Sequence, residues 1–129
     1  MIAGLSLPPE LGLTDEELGE FLESLLNIQA LANVRYFELH PEAPCCLGCG
    51  SIRYQLPRLA ERQTFASAYD VCTLKRVGCA GAAAYEAGMA IHKGKDARVV
   101  VELVSPGEFH AVVVYPDGRR SDPSAKLPR

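Results

Sequence analysis

The sequence has no long hydrophobic run and no concentration of positive charge. Its N-terminal stretch lacks the basic region and the continuous apolar region of a signal peptide, and no later window is long enough to span a bilayer. The formal net charge is -3, and the basic residues are scattered rather than gathered in a stripe, which argues against nucleic acid as a partner. We therefore expect a protein without membrane or nucleic-acid partners that is made and kept in a cytoplasm.

Internal repeats, low-complexity tracts and linkers between domains are also absent from the sequence. The chain has 129 residues, of which 48% are hydrophobic, so one core can form without metal or disulfide support. We therefore expect a single domain over residues 1–129 that holds no cofactor.

The sequence has five cysteines, an odd number that rules out a complete set of intrachain disulfides. Cys46 and Cys49 form half of a zinc knuckle, and the ligands that could complete tetrahedral coordination are Cys45, Cys72 and His40. A second ligand pair at a recognisable spacing is missing, so packed or oxidisable thiols are favoured over a metal. A zinc site built from Cys45, Cys46, Cys49 and Cys72 stays as the alternative, and in an extracellular particle these thiols could form disulfides.

Periodicity and capping signals divide the N-terminal half of the chain. Thr14, followed by three acidic residues, is a capping box that starts an amphipathic core helix. Repeated prolines and glycines then predict a loop, and mixed apolar spacings beyond it predict one or two short helices. In chain order, the prediction is an irregular lead over residues 1–13 and a core helix over 15–32. A loop follows over 35–58, with extended pieces at 35–39 and 52–55, and one or two short helices lie within 58–76.

The C-terminal half changes from a helical period to an alternating one. Residues 79–92 are rich in alanine and predict a buried helix, which the basic residues and Gly94 end. Residues 97–105 and 108–116 are dense in β-branched and aromatic residues around a turn signal, and they predict an antiparallel hairpin. A second turn leads to a short strand over residues 119–122. The whole pattern is typical of an α+β domain.

Three residues with complementary chemistry fall on successive elements of this second half. Cys79 begins the buried helix, where the positive end of the dipole favours a thiolate. His110 lies in the second strand of the hairpin, and its imidazolium would lower the pKa of the thiol further. Asp122 ends the next strand and would orient His110 by accepting its second ring proton. We therefore predict that Cys79, His110 and Asp122 form a catalytic triad, with backbone N–H groups at the helix start contributing an oxyanion hole.

The stretches FHAVVVYPDGRRSDPS and GCAGAAAYEAG carry a family resemblance. They resemble the histidine strand, the Asp-Pro pair and the nucleophile helix of the transglutaminase-like branch of the papain-like cysteine protease superfamily. Together with GSIRY, they look especially like small transglutaminase-like proteins encoded among bacteriophage structural genes. The resemblance covers residues 50–125 and implies a papain-like core, with the nucleophile helix packed on a small antiparallel sheet. Residues 1–49 would be an N-terminal extension of helix and loop.

The resemblance implies a cysteine hydrolase or acyltransferase that acts on a protein or peptide amide through Cys79, His110 and Asp122. It also leaves open a virion-associated structural or assembly protein, which keeps the fold to bind neighbouring phage structural proteins. Either protein would be made in the host cytoplasm, and the second would enter the virion. The chain departs from the family pattern because it has no tryptophan upstream of the cysteine. Tyr69 or Tyr85 is the aromatic residue that could replace it.

Overall fold

A computed structural model describes residues 2–6, 12–42, 52–54, 62–106 and 108–127 of the chain. Helices and strands alternate irregularly, so the α+β class predicted from the sequence is confirmed. The elements, in chain order, are β1 Ile2–Ser6, α1 Asp15–Leu39, β2 Arg53–Tyr54, β3 Arg62–Ala66, α2 Ala68–Leu74, β4 Arg76–Val77, α3 Cys79–His92, β5 Arg98–Ser105, β6 Glu108–Val114, β7 Arg120–Ser121 and a 3₁₀ helix Pro123–Lys126.

The largest sheet among the described residues is antiparallel and has the order β5-β6-β7. The predicted hairpin is confirmed, with Val101 opposite Ala111 and Glu102 opposite His110. β6 is therefore the central strand, flanked by β7 at its far end, where Val113 pairs with Ser121. Two small sheets accompany it: β1 with β3, antiparallel, and β2 with β4, parallel.

The helix α3 spans the residues predicted for it and lies at the centre of the core. Its alanines are small enough to let both α1 and the sheet approach, and most of them are fully buried. The approach is closest at Gly88, where an added Cβ would lie 2.8 Å from the Ala30 carbonyl oxygen and 2.8 Å from the Asn33 Cβ. Small residues on α3 therefore set its distance from α1.

The helix α1 begins at the predicted capping box but is longer than predicted. The Thr14 hydroxyl accepts from the Glu17 N–H, and the Glu17 carboxylate accepts from the Thr14 N–H. The prediction of an extended piece over residues 35–39 is wrong, because the helix continues to Leu39. Phe37 explains the extension: its ring is buried and packs edge-on against Tyr85 of α3, at a centroid distance of 4.9 Å. That contact was not visible in the local sequence.

Two asparagines attach α1 to the rest of the molecule. Asn27 bonds both backbone groups of Val99 on the outer strand β5, accepting from its N–H at 2.9 Å and donating to its carbonyl at 3.0 Å. Asn33 is buried, accepts from the Ala68 N–H at 2.8 Å and donates to the Ala84 carbonyl at 3.1 Å. Because buried backbone groups need partners, these contacts fix α1 against the sheet, α2 and α3.

Other local predictions are also corrected by pairing between distant segments. Residues 1–13 were predicted to be irregular, but residues 2–6 form β1. Residues 62–66 lie in a segment predicted to be helical, yet they form β3, which pairs with β1. The extended piece predicted over residues 52–55 is confirmed by β2, and a short helix in 58–76 is confirmed by α2. Within the described part of the chain, no helix is long and apolar enough to cross a membrane.

Candidate active site

His110 and Asp122 meet where the main sheet narrows. β7 pairs with only the last residues of β6 and ends at Ser121, so Asp122 follows immediately as the chain turns into the 3₁₀ helix. The His110 Nε2 lies 2.8 Å from the Asp122 Oδ2. Both side chains are partly exposed, at 30% and 39% of their accessible area, so they line the surface rather than the core. The structure thus brings together two of the three residues predicted for the site.

The hydrogen bond also defines the tautomer of His110. A carboxylate can only accept, so Nε2 carries the proton that it donates to Asp122. When the ring is neutral, Nδ1 is then left with a free lone pair, and among the described residues Nδ1 has no hydrogen-bond partner. A histidine ring with such an unprotonated nitrogen can accept a proton as a general base.

Asp122 is held by two further donors on the turn that follows it. The Ser124 hydroxyl donates to Asp122 Oδ1 at 2.7 Å, so His110 and Ser124 occupy separate carboxylate oxygens. Burial alone raises the pKa of Asp122, but the bonds from Ser124 and His110, the charge of His110 and the Ala125 N–H together hold the pKa below its ordinary value. The carboxylate is therefore ionised at neutral pH and able to orient the ring.

Cys79 is the first residue of α3 and is free of any disulfide. Burial is the largest influence on its thiol and raises the pKa. The backbone N–H groups of Ala111 and Ala80 oppose that rise, the Asp122 carboxylate adds to it, and the pKa ends above its ordinary value. The expectation of a lowered pKa at this helix start is therefore wrong for this arrangement. The interactions do show that the sulfur lies beside Ala111, the residue that follows His110.

Cys79 and His110 are linked through Ala111, which follows His110 on β6 and whose backbone N–H interacts with the Cys79 sulfur. No hydrogen bond joins these two side chains, both of which belong to the described part of the structure. On one side of Cys79 lies an apolar cavity of about 10 Å³, enough for at most one water molecule. Leu22 and Leu26 of α1 help close it, and the other lining residues are Ala80, Val101, Phe109 and Ala111. This cavity is therefore too small to hold an acyl group next to the sulfur.

Several residues around the site were not singled out by sequence reasoning. Ser124 is one, and its signal was present in the Asp-Pro-Ser order, since a serine two residues after an aspartate often bonds back to it. Glu102 is another: it lies opposite His110 in register and forms an ion pair with Arg120. That pair joins β5 to β7 across β6. Glu86, the only carboxylate of α3, is the third, and nothing in its local sequence marked it.

The other residues proposed from the sequence lie apart from this site or outside the description. Cys45, Cys46 and Cys49, the core of the alternative zinc site, lie outside the described residues. The Cys72 sulfur lies 3.8 Å from the Tyr85 hydroxyl in the core. Tyr85 is thus occupied with the core, while Tyr69 is exposed and packs edge-on against the ring of another tyrosine, Tyr36.

The fold and the site together define an α+β domain that has a histidine–carboxylate pair and a helix-initial cysteine whose sulfur interacts with the residue after the histidine. Comparisons of the chain with protein-family models, curated proteins and solved structures found no match. The resemblance to the transglutaminase-like family therefore rests on the motifs in the sequence and stays a prediction.

Proposed function

We propose that the protein is a transglutaminase-like cysteine hydrolase or acyltransferase that acts on a protein or peptide amide. Cys79 is the nucleophile, His110 the general base and acid, and Asp122 the residue that orients the ring. The observation that carries the proposal is the 2.8 Å contact between His110 Nε2 and Asp122 Oδ2. It leaves the second nitrogen as a base next to the strand residue, Ala111, whose N–H interacts with the Cys79 sulfur.

The arrangement of elements supports a papain-like core as the fold behind this activity. α3 begins with the cysteine and packs on the antiparallel sheet β5-β6-β7. The histidine lies on the central strand β6 and the aspartate directly after β7, so three of the four consecutive elements α3, β5, β6 and β7 supply the three groups. A site built on a helix and strands is held more rigidly than one built on loops.

The raised thiol pKa defines what His110 has to do in such a reaction. The thiol is protonated at neutral pH, so its proton passes to His110 Nδ1 as the sulfur attacks the amide carbon. The imidazolium, stabilised by Asp122, then gives that proton to the leaving amine, and a thioester remains on Cys79. Water resolves the thioester to an acid, or a second amine resolves it to a new amide, and either restores the thiol. The N–H of Ala80, which already interacts with the sulfur, lies at the helix start where an oxyanion would develop.

A second function, in another class, is favoured by a specific set of observations. Cys79 is partly buried, it has no hydrogen bond to His110, and the cavity beside it is too small for an acyl group. These features suit a virion-associated structural or assembly protein that keeps the fold for binding. Its docking surface to neighbouring phage structural proteins would include the exposed apolar residues of α1, which are Phe21, Ile28, Leu31 and Leu39.

Thiol labelling at neutral pH distinguishes the two functions. The full chain is treated with iodoacetamide, and peptide mass spectrometry follows alkylation at Cys79, with Cys72 as an internal reference. If His110 is the base, His110→Ala slows alkylation of Cys79 about 100-fold, the lower end of the range known for general-base assistance. Alkylation of Cys72 changes little. A glutamine peptide with hydroxylamine as acceptor then separates acyl transfer from hydrolysis.

The matched control is His40→Ala. His40 Nδ1 contacts the Glu42 carboxylate at 3.1 Å, so it forms a histidine–carboxylate pair away from Cys79, and its removal leaves the Cys79 rate unchanged. If wild-type Cys79 reacts no faster than Cys72, and His110→Ala leaves its rate unaltered, the catalytic proposal fails and the structural function stands.

A further inference from the structure

Glu86 is a partly buried carboxylate on a helix whose other buried residues are apolar or glycine. It follows Cys79 by seven residues, so the two side chains project from nearly the same face of α3, about two turns apart. Its side chain is 20% exposed. A carboxylate taken this far out of water requires compensating donors, and their identity shows what it holds.

Three donors converge on Glu86, and all come from the segment around Asp122. The Tyr115 hydroxyl, just after β6, donates to Oε2 at 2.9 Å. The Ser121 hydroxyl donates to Oε1 at 3.0 Å, and the Lys126 ammonium contacts the same oxygen at 3.4 Å. Lys126 also donates to the Ser121 hydroxyl at 2.9 Å, which closes a small network.

The network encloses Asp122 from both ends. Ser121 directly precedes Asp122, and Lys126 ends the 3₁₀ helix that contains Ser124, the second donor to Asp122. One side chain on the helix of Cys79 therefore holds both ends of the segment that carries Asp122. We propose that Glu86 is a positioning residue, which fixes the Asp122 segment to α3 and so sets His110 relative to Cys79. This inference rests on the proposed function, since positioning matters only if His110 assists Cys79.

The environment of Tyr115 agrees with its hydrogen bond to Glu86. Burial and the bond to Glu86 raise the pKa of Tyr115 to about 12, and the nearby Arg119 opposes that rise only in part. The Arg119 guanidinium lies over the Tyr115 ring at 4.3 Å from its centroid, so the tyrosine is clamped between the arginine and Glu86. The β6 end of the network thus has Arg119 as a second partner, and the contacts of Glu86 with Ser121 and Lys126 connect the Asp122 end to α3.

A double-mutant cycle in the full chain tests the positioning role. The His110→Ala effect on Cys79 alkylation is measured in the wild type and in Glu86→Ala. We expect this effect to fall from about 100-fold to under about 3-fold, because His110 is no longer held in reach. Glu86→Gln keeps one acceptor oxygen and restores part of the effect, and Ser121→Ala reproduces part of the loss. Glu38→Ala, which removes an exposed carboxylate paired with Arg35 on α1, is the control and changes nothing.

Two further measurements keep the outcome decisive. The first is the alkylation rate of Cys72 in Glu86→Ala, because a general loosening of the fold would speed alkylation at both cysteines. Parallel rises in the rates at Cys72 and Cys79 would therefore overturn the positioning role. The second is the NMR resonance of the proton on His110 Nε2, which is protected from exchange while it is bonded to Asp122. We expect that proton to exchange at least about 10-fold faster in Glu86→Ala and at an intermediate rate in Glu86→Gln.

The failures of the two proposals are distinguishable. If Cys79 is indifferent to His110 in the wild type, the proposed function fails, and the His110 resonance alone decides whether Glu86 holds the pair. If the His110 effect is present and stays undiminished in Glu86→Ala, with an unaltered resonance, the function stands and the inference about Glu86 is wrong. Should Glu86→Ala fail to fold, Glu86→Gln and Ser121→Ala give the same comparison.

Discussion

Replacing Gly88 with alanine tests how closely α1 and α3 approach, and Gly19→Ala is its natural counterpart. Both glycines lie inside helices, so both alanines gain about 1 kcal/mol of helix propensity. At Gly88 the new Cβ would lie 2.8 Å from the Ala30 carbonyl oxygen and 2.8 Å from the Asn33 Cβ. At Gly19 the nearest atom is Phe109 Cε1, at 3.3 Å. Both substitutions thus gain helix propensity, but they differ in which neighbouring atoms the new Cβ would displace.

The difference in what must move gives the two substitutions opposite signs. Ala30 contributes backbone at the contact, so Gly88→Ala displaces a whole helix, and overpacking of this kind costs about 1–3 kcal/mol. After the propensity gain, Gly88→Ala should destabilise the protein by up to about 2 kcal/mol, which lowers Tm by up to about 7 °C in a chain of this size. The phenyl edge of Phe109 can shift by a few tenths of an ångström, so Gly19→Ala should be neutral or stabilise by up to about 1 kcal/mol.

Urea denaturation of the two variants and the wild type, followed by circular dichroism, measures both shifts under one set of conditions. An unchanged m-value would show that the difference lies in stability rather than in the extent of unfolding. The reasoning is refuted if Gly88→Ala is at least as stable as Gly19→Ala, because helix propensity would then outweigh the close approach and α1 would not be held against α3 at this point.

Two further predictions concern titration. The pKa of Asp122 is lowered in the folded state, so its contribution to stability is complete above its ordinary value of 3.8 and is lost as pH falls through the lower folded pKa. Asp122→Asn should therefore lower the free energy of unfolding by about 1 kcal/mol at pH 7, a modest figure because the group is partly exposed. The difference in stability between the variant and the wild type should disappear as the pH falls below 3.8. Denaturation at several pH values measures this difference, and a difference that stays constant with pH contradicts the prediction. Tyr115 should ionise late, with a pKa of about 12, so Tyr115→Phe should remove a late step from the ultraviolet titration at about 295 nm. Loss of a step near the ordinary value of 10.0 instead would show that Tyr115 is neither buried nor bonded to Glu86.

The raised pKa of the Cys79 thiol has a consequence for both candidate functions. A partly buried thiol with a raised pKa reacts slowly with oxidants and electrophiles unless a base removes its proton, because the thiolate is the reactive form. An enzyme with this site would rely on His110 to remove that proton as an electrophile approaches. A structural protein would keep the thiol inert throughout. The dependence of Cys79 reactivity on His110 is therefore the property that separates the two functions.

The amino-acid sequence by itself determined the elements whose signals are local. The helix over residues 79–92, the hairpin that follows it and the capping box at Thr14 were predicted from alanine content, β-branched runs and a four-residue motif, and the structure confirms them. His110 and Asp122 could be named as partners because the turn between their strands is short and its residues specify it. Their bond follows from two neighbouring strands.

Only the tertiary structure decided the features that depend on distant segments. α1 continues to Leu39 because Phe37 finds a buried place against α3, and β3 is a strand because β1 pairs with it from the far end of the chain. The pKa of the Cys79 thiol is raised rather than lowered, because burial outweighs the lowering effect of the local backbone N–H groups, and burial is a property of the whole packing. The Glu86 carboxylate is bonded by three donors that lie far from it in the sequence. Burial and long-range contacts are set by the assembled core, so no local pattern encodes them.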